Sequence, residues 1–397
     1  MRVLVAALAV LAALLAGCGD GGGLGADPSP AGEADRGQPA RADGDDEAPA
    51  APALGFPVLA TKNTTRVSGA DPVANAAAVA LAVHPSRSQD TRPQAVVLVD
   101  QDDWRAGIAA AQLAAPPLRA PVLLTEGREL PAATADALER LQPTGAGDAG
   151  GAQVIRIGDV AAPDGLESTD VAVGNPAATA RAIDRLQAAA AGRPTPAVLV
   201  ASADRPDFAM PAAGWAAKSG QPVLWTGRDA LPPATRAAIA SRRRPDVYVL
   251  GPEEAISDRV LEELRELGTV ERISGPEPVA NAIAFARFTD GEFGWGVTDP
   301  GHGLVFASTR RALDAAAGAP LSAAGTYGPL LLVAEAQALP QALQDYLHDI
   351  QPGYAEDPVR GVYNHGWLMG DEAAISADVQ ARIDTLLEIQ PVDPGGD

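Results

Sequence analysis

The segment RVSGADPVANAA, beginning at Arg66, returns almost unchanged as RISGPEPVANAI from Arg272, and a divergent copy, VAVGNPAATARA from Val171, stands midway between them. Echoes of this length at half and full multiples of one spacing restrict the chain to an array of three related blocks of about 100 residues each. Inside each block further landmarks recur in one order. An apolar run with strand character comes first: AVVLVD from Ala95, AVLVAS from Ala197 and GLVFAS from Gly303. APVLLT from Ala120, QPVLWT from Gln221 and GPLLLV from Gly328 come next, with Leu-Pro steps at Leu130-Pro131, Leu231-Pro232 and Leu339-Pro340 after them. Each block then closes on a strand-like run ending in glycine, at Gly158, Gly251 and Gly370.

In the first block these patterns predict a helix over 73–83, a strand over 95–99, a helix over 107–113 and a strand over 122–124. A helix over 130–141, started at Pro131 and stopped by Pro143, and a strand over 153–157 complete it. Strands apolar on both faces and separated by helices predict a parallel sheet covered on both sides. The expected fold is α/β: three tandem Rossmann-like or flavodoxin-like three-layer modules with parallel sheets, over 61–165, 166–268 and 269–392. A hydrophobic share of 47% with only 4% aromatics leaves enough apolar side chain for several Ala-rich cores. Lysine occurs only at Lys62 and Lys218 while arginine is frequent, a pattern that reflects genomic base composition more than function.

Arg2 gives the N-terminus a positive start, Val3 to Leu15 is an apolar run too short for a lasting span, and Leu15-Ala16-Gly17-Cys18 ends it. This looks like a bacterial lipoprotein signal over 1–17, in which Cys18 is lipidated and becomes the first mature residue. Two acyl chains would hold the protein at the outer face of the cytoplasmic membrane. Cys18 is the single cysteine, so no disulfide framework is available. Residues 18–60 are rich in Gly, Pro, Ala and acid, and predict a disordered acidic tether. The tether takes only a small part of the formal net charge of -21, so the modules are acidic as well and a nucleic-acid partner is excluded.

The landmarks resemble those of the cell wall-binding repeat 2 family. RVSGAD and RISGPE are similar to its R-[IV]-[SA]-G-x-[DN] opening, APVLLT, QPVLWT and GPLLLV to its P-I-L-L-T strand. LGPEEAISDRVLEEL from Leu250 and MGDEAAISADVQARI from Met369 are similar to its V-I-G-G-x-x-A-[VI]-S-x-x-V segment. The resemblance runs from about Thr61 to Val392. It implies a pseudo-threefold arrangement with the P-x-L-L strands near the mutual contacts, and a role in holding surface proteins on anionic polymers of the Gram-positive wall. Where the family continues D-R-Y-x-T-A, this chain has Asp71-Pro72-Val73-Ala74-Asn75-Ala76 and Glu277-Pro278-Val279-Ala280-Asn281-Ala282, without the arginine or the aromatic. Of the acids in the family's F-x-D-A-L-A-A helix start, Asp314 alone is kept.

Catalytic machinery is not indicated. His84, His302, His348 and His365 show no i,i+4 pairing and no cysteine partner, so neither a metal nor a cofactor is expected. Ser68 and Ser274 lack a G-x-S-x-G elbow and read as turn residues at helix starts, as do Asp159, Asp371 and Glu372 after strand ends. The third block collects most of the aromatic residues, with two added loops, GEFGWGVTDPGHG from Gly291 and QPGYAEDPVRGVYNHGW from Gln351. Gly- and aromatic-rich loops on a rigid scaffold suit sugar rings, which makes Phe293, Trp295, His302, Tyr354, Tyr363 and Trp367 the candidate ligand-binding residues; packing of a larger core is the competing role. The expected function is that of a non-catalytic, membrane-anchored lipoprotein of the cell envelope that binds cell-wall polysaccharide or a related envelope glycan. The alternative is a solute-binding lipoprotein serving a transporter, which would need two lobes and a hinged cleft.

Overall fold

The computed structural model describes residues 57–67, 69–171 and 173–392. The leader over 1–17, Cys18 and Ser68 lie outside them, and the 18–60 tether is described only from residue 57. There β1 (Pro57–Ala60) pairs antiparallel with β2 (Thr64–Val67), which turns into α1 (Pro72–Val83). β3 (Val96–Asp100), α2 (Trp104–Ala110), β4 (Val122–Thr125), α3 (Ala132–Leu141) and β5 (Val154–Ile157) follow. The chain continues through β6 (Ser168–Val171), α4 (Pro176–Ala190), β7 (Ala197–Ser202), α5 (Pro206–Ala209), α6 (Pro211–Ser219), β8 (Val223–Thr226), α7 (Pro233–Ala240), β9 (Asp246–Leu250) and α8 (Asp258–Arg265). It ends with β10 (Thr269–Ile273), α9 (Pro278–Arg287), β11 (Gly303–Ser308), α10 (Leu313–Ala323), β12 (Leu330–Val333), α11 (Gln341–Asp349), β13 (Gly353–Tyr354), β14 (His365–Met369), α12 (Ala377–Leu387) and β15 (Gln390–Pro391).

Three larger parallel sheets result, with strand orders β4-β3-β5-β6, β8-β7-β9-β10 and β12-β11-β14-β2, the last extended by antiparallel β1, and β13 pairs with β15 in a separate two-stranded parallel sheet. In the first sheet Val96, Leu98, Leu123 and Val154 pack with Ala77 and Ala80 of α1 and Ala137, Leu138 and Leu141 of α3 on one side. Val97, Val99, Val122, Leu124 and Ile155 pack on the other side with Ile108 of α2, which makes the expected three layers. Each fully buried Leu or Ile stabilises the fold by roughly 1.5–3 kcal/mol. Helices α2, α6 and α10 meet between the three sheets. Small residues allow that approach: a Cβ on Gly107 would lie 2.6 Å from Leu313 Cδ2, and one on Gly214 2.8 Å from Ser322 Oγ.

The sequence echoes are strand-turn-helix connectors between sheets. β6 lies in the first sheet while α4 packs on β8 of the second; β10 lies in the second sheet while α9 packs on β12 of the third. The first echo closes the circuit, because β2 completes the third sheet and α1 packs on β4 of the first. This geometry explains the recurring residues. Proline occupies the start of α1, α4 and α9, and Asp71 and Asn175 accept from the backbone N–H of Ala74 and Ala178 at 2.8 and 3.0 Å as N-caps. The turn needs glycine because a Cβ on Gly275 would sit 2.4 Å from Asn281 N, and one on Gly69 2.6 Å from Ala74 Cβ.

The opening arginines fasten two of the three donated strands. Arg66, 2% exposed, donates to the carbonyls of Gly370, Asp371 and Ile375 at 2.9, 2.8 and 2.7 Å and to Gln380 Oε1 at 3.0 Å. Arg272 repeats the pattern on Gly251 O and Ile256 O, both at 2.8 Å, and adds Asp258. The divergent echo has Val171 in the arginine's place, and Asp170 just before it on the donated strand pairs with Arg156 of β5 at 3.2 Å. The AIS segments around Ile256 and Ile375 are therefore the docking sites of these side chains.

Candidate functional site at the seams between the sheets

Each connector helix meets an inner helix at a seam: α4 against α2, α9 against the α5–α6 pair, and α1 against α10. At the end of the seams where the sheet strands begin, the three are filled differently. The closing seam between α1 and α10 opens into a cavity of about 630 Å³. Val83, Ala114, Ala217 and Ala323 give it apolar walls, and His84, Arg92, Arg119 and Lys218 give it four basic side chains against the single acid Asp90. Gln94 and Pro121, just ahead of β3 and β4, fix its position at the strand starts.

These cations are held without neutralisation. Among the described residues no carboxylate is in ion-pair contact with Arg92, Arg119 or Lys218, and the buried Nε of Arg92 has no hydrogen-bond partner. Lys218 Nζ stands 3.3 Å from the centre of the Tyr327 ring, and burial lowers its pKa. Burial, followed by the nearby Arg119 charge, pushes His84 down to about 4, so its imidazole is neutral at pH 7. An anion entering this cavity would meet three positive charges in a protein that is otherwise acidic.

The seam between α6 and α9 is filled instead. Trp215 of α6 contacts Phe285 of α9, Phe293 and Trp295, with ring centres 6.3, 4.9 and 5.2 Å away, and Phe293 stacks on Tyr248 at 3.5 Å. Two of the six residues expected to bind ligand, Phe293 and Trp295, thus sit in this packing, Phe293 only 1% exposed. Of the other four, His302 and Tyr363 lie just ahead of β11 and β14. His302 accepts through its carbonyl from His365 N–H at 2.9 Å, and its ring lies 3.8 Å from Asp299. Tyr363 is 46% exposed and donates to Pro358 O at 2.5 Å; Tyr354 lies on β13; half-buried Trp367 lies on β14 with the His365 ring edge-on at 4.7 Å.

The opposite ends of the strands carry acids engaged with the fold. Asp159 pairs with Arg128 at 2.7 Å, which holds its carboxyl below the usual range, and Asp371 accepts from Ala374 N–H at 3.3 Å. At the closing seam Asp314, fully buried, accepts from Asn75 Nδ2 at 2.8 Å and pairs with Arg311 at 2.8 Å. Desolvation raises its pKa to about 6 despite the Arg311 charge. Among the described residues no group of three or more His, Cys, Asp or Glu is arranged to hold a metal ion, and no helix is long and apolar enough to cross a membrane.

Sequence reasoning missed the cationic cavity because its residues come from separate elements with no common spacing. The scarcity of lysine was the one available trace: Lys218 is one of two, and it stands at this seam.

One stretch of the chain is similar to a known family. Residues 172–261 match the Cell wall binding domain 2 (CWB2) family. The CWB2 match spans α4 through the start of α8. Two solved structures share the fold: Cwp8 from Clostridium difficile, with TM-score 0.62, 18% identity and coverage of 82% of this chain and 52% of that one, and Cwp6 from Clostridium difficile, with TM-score 0.63, 17% identity and coverage of 82% and 48%. The chain spans about half the length of these structures. No curated protein matches it.

Proposed function

We propose that the protein is a non-catalytic cell-envelope lipoprotein, one CWB2-type unit in three tandem copies, that binds a cell-wall polysaccharide or related envelope glycan. The match of residues 172–261 to CWB2 carries this reading. The cationic closing-seam cavity supports a polymer bearing negative charge, since its three unpaired cations serve no ion pair of the fold. His302, Tyr354, Tyr363 and Trp367 are proposed as further sugar contacts, and lipidation of Cys18 as the anchor that leaves the folded units free to engage the wall.

Co-sedimentation of the mature chain with purified wall fractions tests the reading. The wild type should sediment, less so as salt rises. An Arg92→Ala, Arg119→Ala, Lys218→Ala variant should lose roughly tenfold or more in retention, because three charge contacts are removed together. Equal retention of both proteins would exclude this cavity, and failure of the wild type to sediment would sink the wall-binding role. Release of soluble sugar from the wall during incubation would contradict the non-catalytic assignment. Acyl mass on the N-terminal peptide, absent in Cys18→Ala, checks the anchor.

A further inference from the structure

We infer that the seam between α4 and α2 holds a subsite for one neutral pyranose unit; that its occupant is a sugar rests on the glycan-binding reading above. The seam carries a partly open cavity of about 250 Å³, below the roughly 300–1,000 Å³ of pockets for drug-sized ligands. Its inner wall carries two buried amides. Gln112, 1% exposed, donates from Nε2 to Gly220 O at 2.9 Å, and Gln187, 3% exposed, donates from Nε2 to Pro116 O at 2.8 Å. Both side chains are thereby fixed by backbone carbonyls from neighbouring elements.

The other end of the Gln187 amide is what calls for a ligand. Its Oε1 is buried in this polar cavity without a donor, a costly arrangement that a hydroxyl or N–H entering the cavity would relieve. Thr195, Ser219 and Gln221 add polar groups to the lining, and the one buried acid, Asp184, is already neutralised by Arg242 at 2.6 Å. Among alanines and prolines, the lining presents amides and hydroxyls, each able to donate and accept, which match the vicinal hydroxyls of a sugar ring, and Arg193 adds a further donor. Gly220 makes room for this arrangement: its backbone is left-handed at φ +73, and a Cβ there would lie 3.4 Å from Gln187 Nε2. No aromatic face lines the cavity, so hydrogen bonds set both the selectivity and a weak affinity.

Titration of the mature chain, followed by NMR of the glutamine side-chain amides, tests this. Glucose, galactose, mannose and N-acetylglucosamine would each be added to roughly 100 mM, with sorbitol as an open-chain control. One or more pyranoses should saturate with a Kd of about 1–50 mM, shift the Gln112 and Gln187 amides and lose roughly tenfold in affinity with Gln187→Leu, while Glu262→Gln on the exposed face of α8 leaves binding unchanged. Should Gln187→Leu not fold, Gln221→Ala and Thr195→Val on the lining replace it, with a smaller loss expected. Absence of saturation, equal response to sorbitol, or undiminished binding by the variants would overturn the subsite and leave the cavity to ordered water. Wall sedimentation without pyranose saturation would remove the subsite alone; saturation without wall sedimentation would remove the wall reading alone.

Discussion

Where α6 meets α9, the space beside the strand starts is packed with Trp215, Phe285, Phe293 and Trp295; where α1 meets α10, it is an open cavity edged by Arg92, Arg119 and Lys218. The connectors are alike, but the aromatic seam is filled in part by Phe293 and Trp295 of the added loop that follows α9, so the two seams differ in that loop as well as in their side chains. Aromatic filling stabilises the join of two sheets. Unpaired cations around a cavity do the opposite, because they repel one another and gain nothing from the fold, and the proposed anionic ligand would account for them. One seam is spent on cohesion, and the other is the one proposed for recognition.

The comparison breaks first at Trp215. If the aromatic seam is structural, Trp215→Ala removes a side chain only 8% exposed and lowers stability by about 3–5 kcal/mol in urea unfolding, with wall retention of the folded fraction intact. A loss under about 1 kcal/mol would mean that this seam is as loosely filled as the others.

Next in size is the arginine that fastens the closing strand. Arg66→Met strands several backbone carbonyls and should cost about 3 kcal/mol. Arg272→Met should cost about half as much, because its side chain is 18% exposed and water replaces part of what is lost. Equal costs from the two variants would show that closure of the circuit by β2 carries no special burden.

That burden was not legible in the sequence, although much of the fold was. The runs that became β3, β4 and β5 are apolar on both faces, and the helices between them start at proline or an Asp cap, so spacing alone placed them within a few residues. The donated strands β2, β6 and β10 read TTRV, STDV and TVERI: short, polar, and paired across sequence separations that no local pattern records. The aromatic loops were visible as composition, but Phe293 and Tyr363 differ only in which way the backbone turns them, one buried and one exposed. Arg92, Arg119 and Lys218 converge only once three sheets surround α2, α6 and α10.

The closing seam also contains two buried titrating groups whose effects on stability oppose each other. Asp314 has a folded pKa of about 6, above its ordinary 3.8, so its contribution is complete below pH 3.8 and is lost as pH rises through 6, by about 3 kcal/mol. His84 has a folded pKa of about 4, below its ordinary 6.5, so stability is complete above pH 6.5 and falls as pH drops toward 4, by a similar amount. Between pH 4 and 6.5 the two nearly cancel, and the wild type should show little slope from this seam. Asp314→Asn should expose a stability that declines on acidification, and His84→Gln one that declines toward neutral pH. Urea midpoints across this range decide it, and parallel curves for all three proteins would discount the seam as a source of pH dependence.

The smallest effect separates burial from charge inside the cationic cavity. Because desolvation outweighs the Arg119 field in depressing His84, Arg119→Gln should raise the His84 pKa only by a few tenths, read from the imidazole proton shifts. Inorganic phosphate bound beside the same ring should raise it further in the wild type than in the variant, since the variant holds the anion with one cation fewer. A larger rise with Arg119→Gln than with phosphate would show that His84 reports the arginine itself; no response to phosphate in either protein would leave this seam with repulsion and no ligand to relieve it.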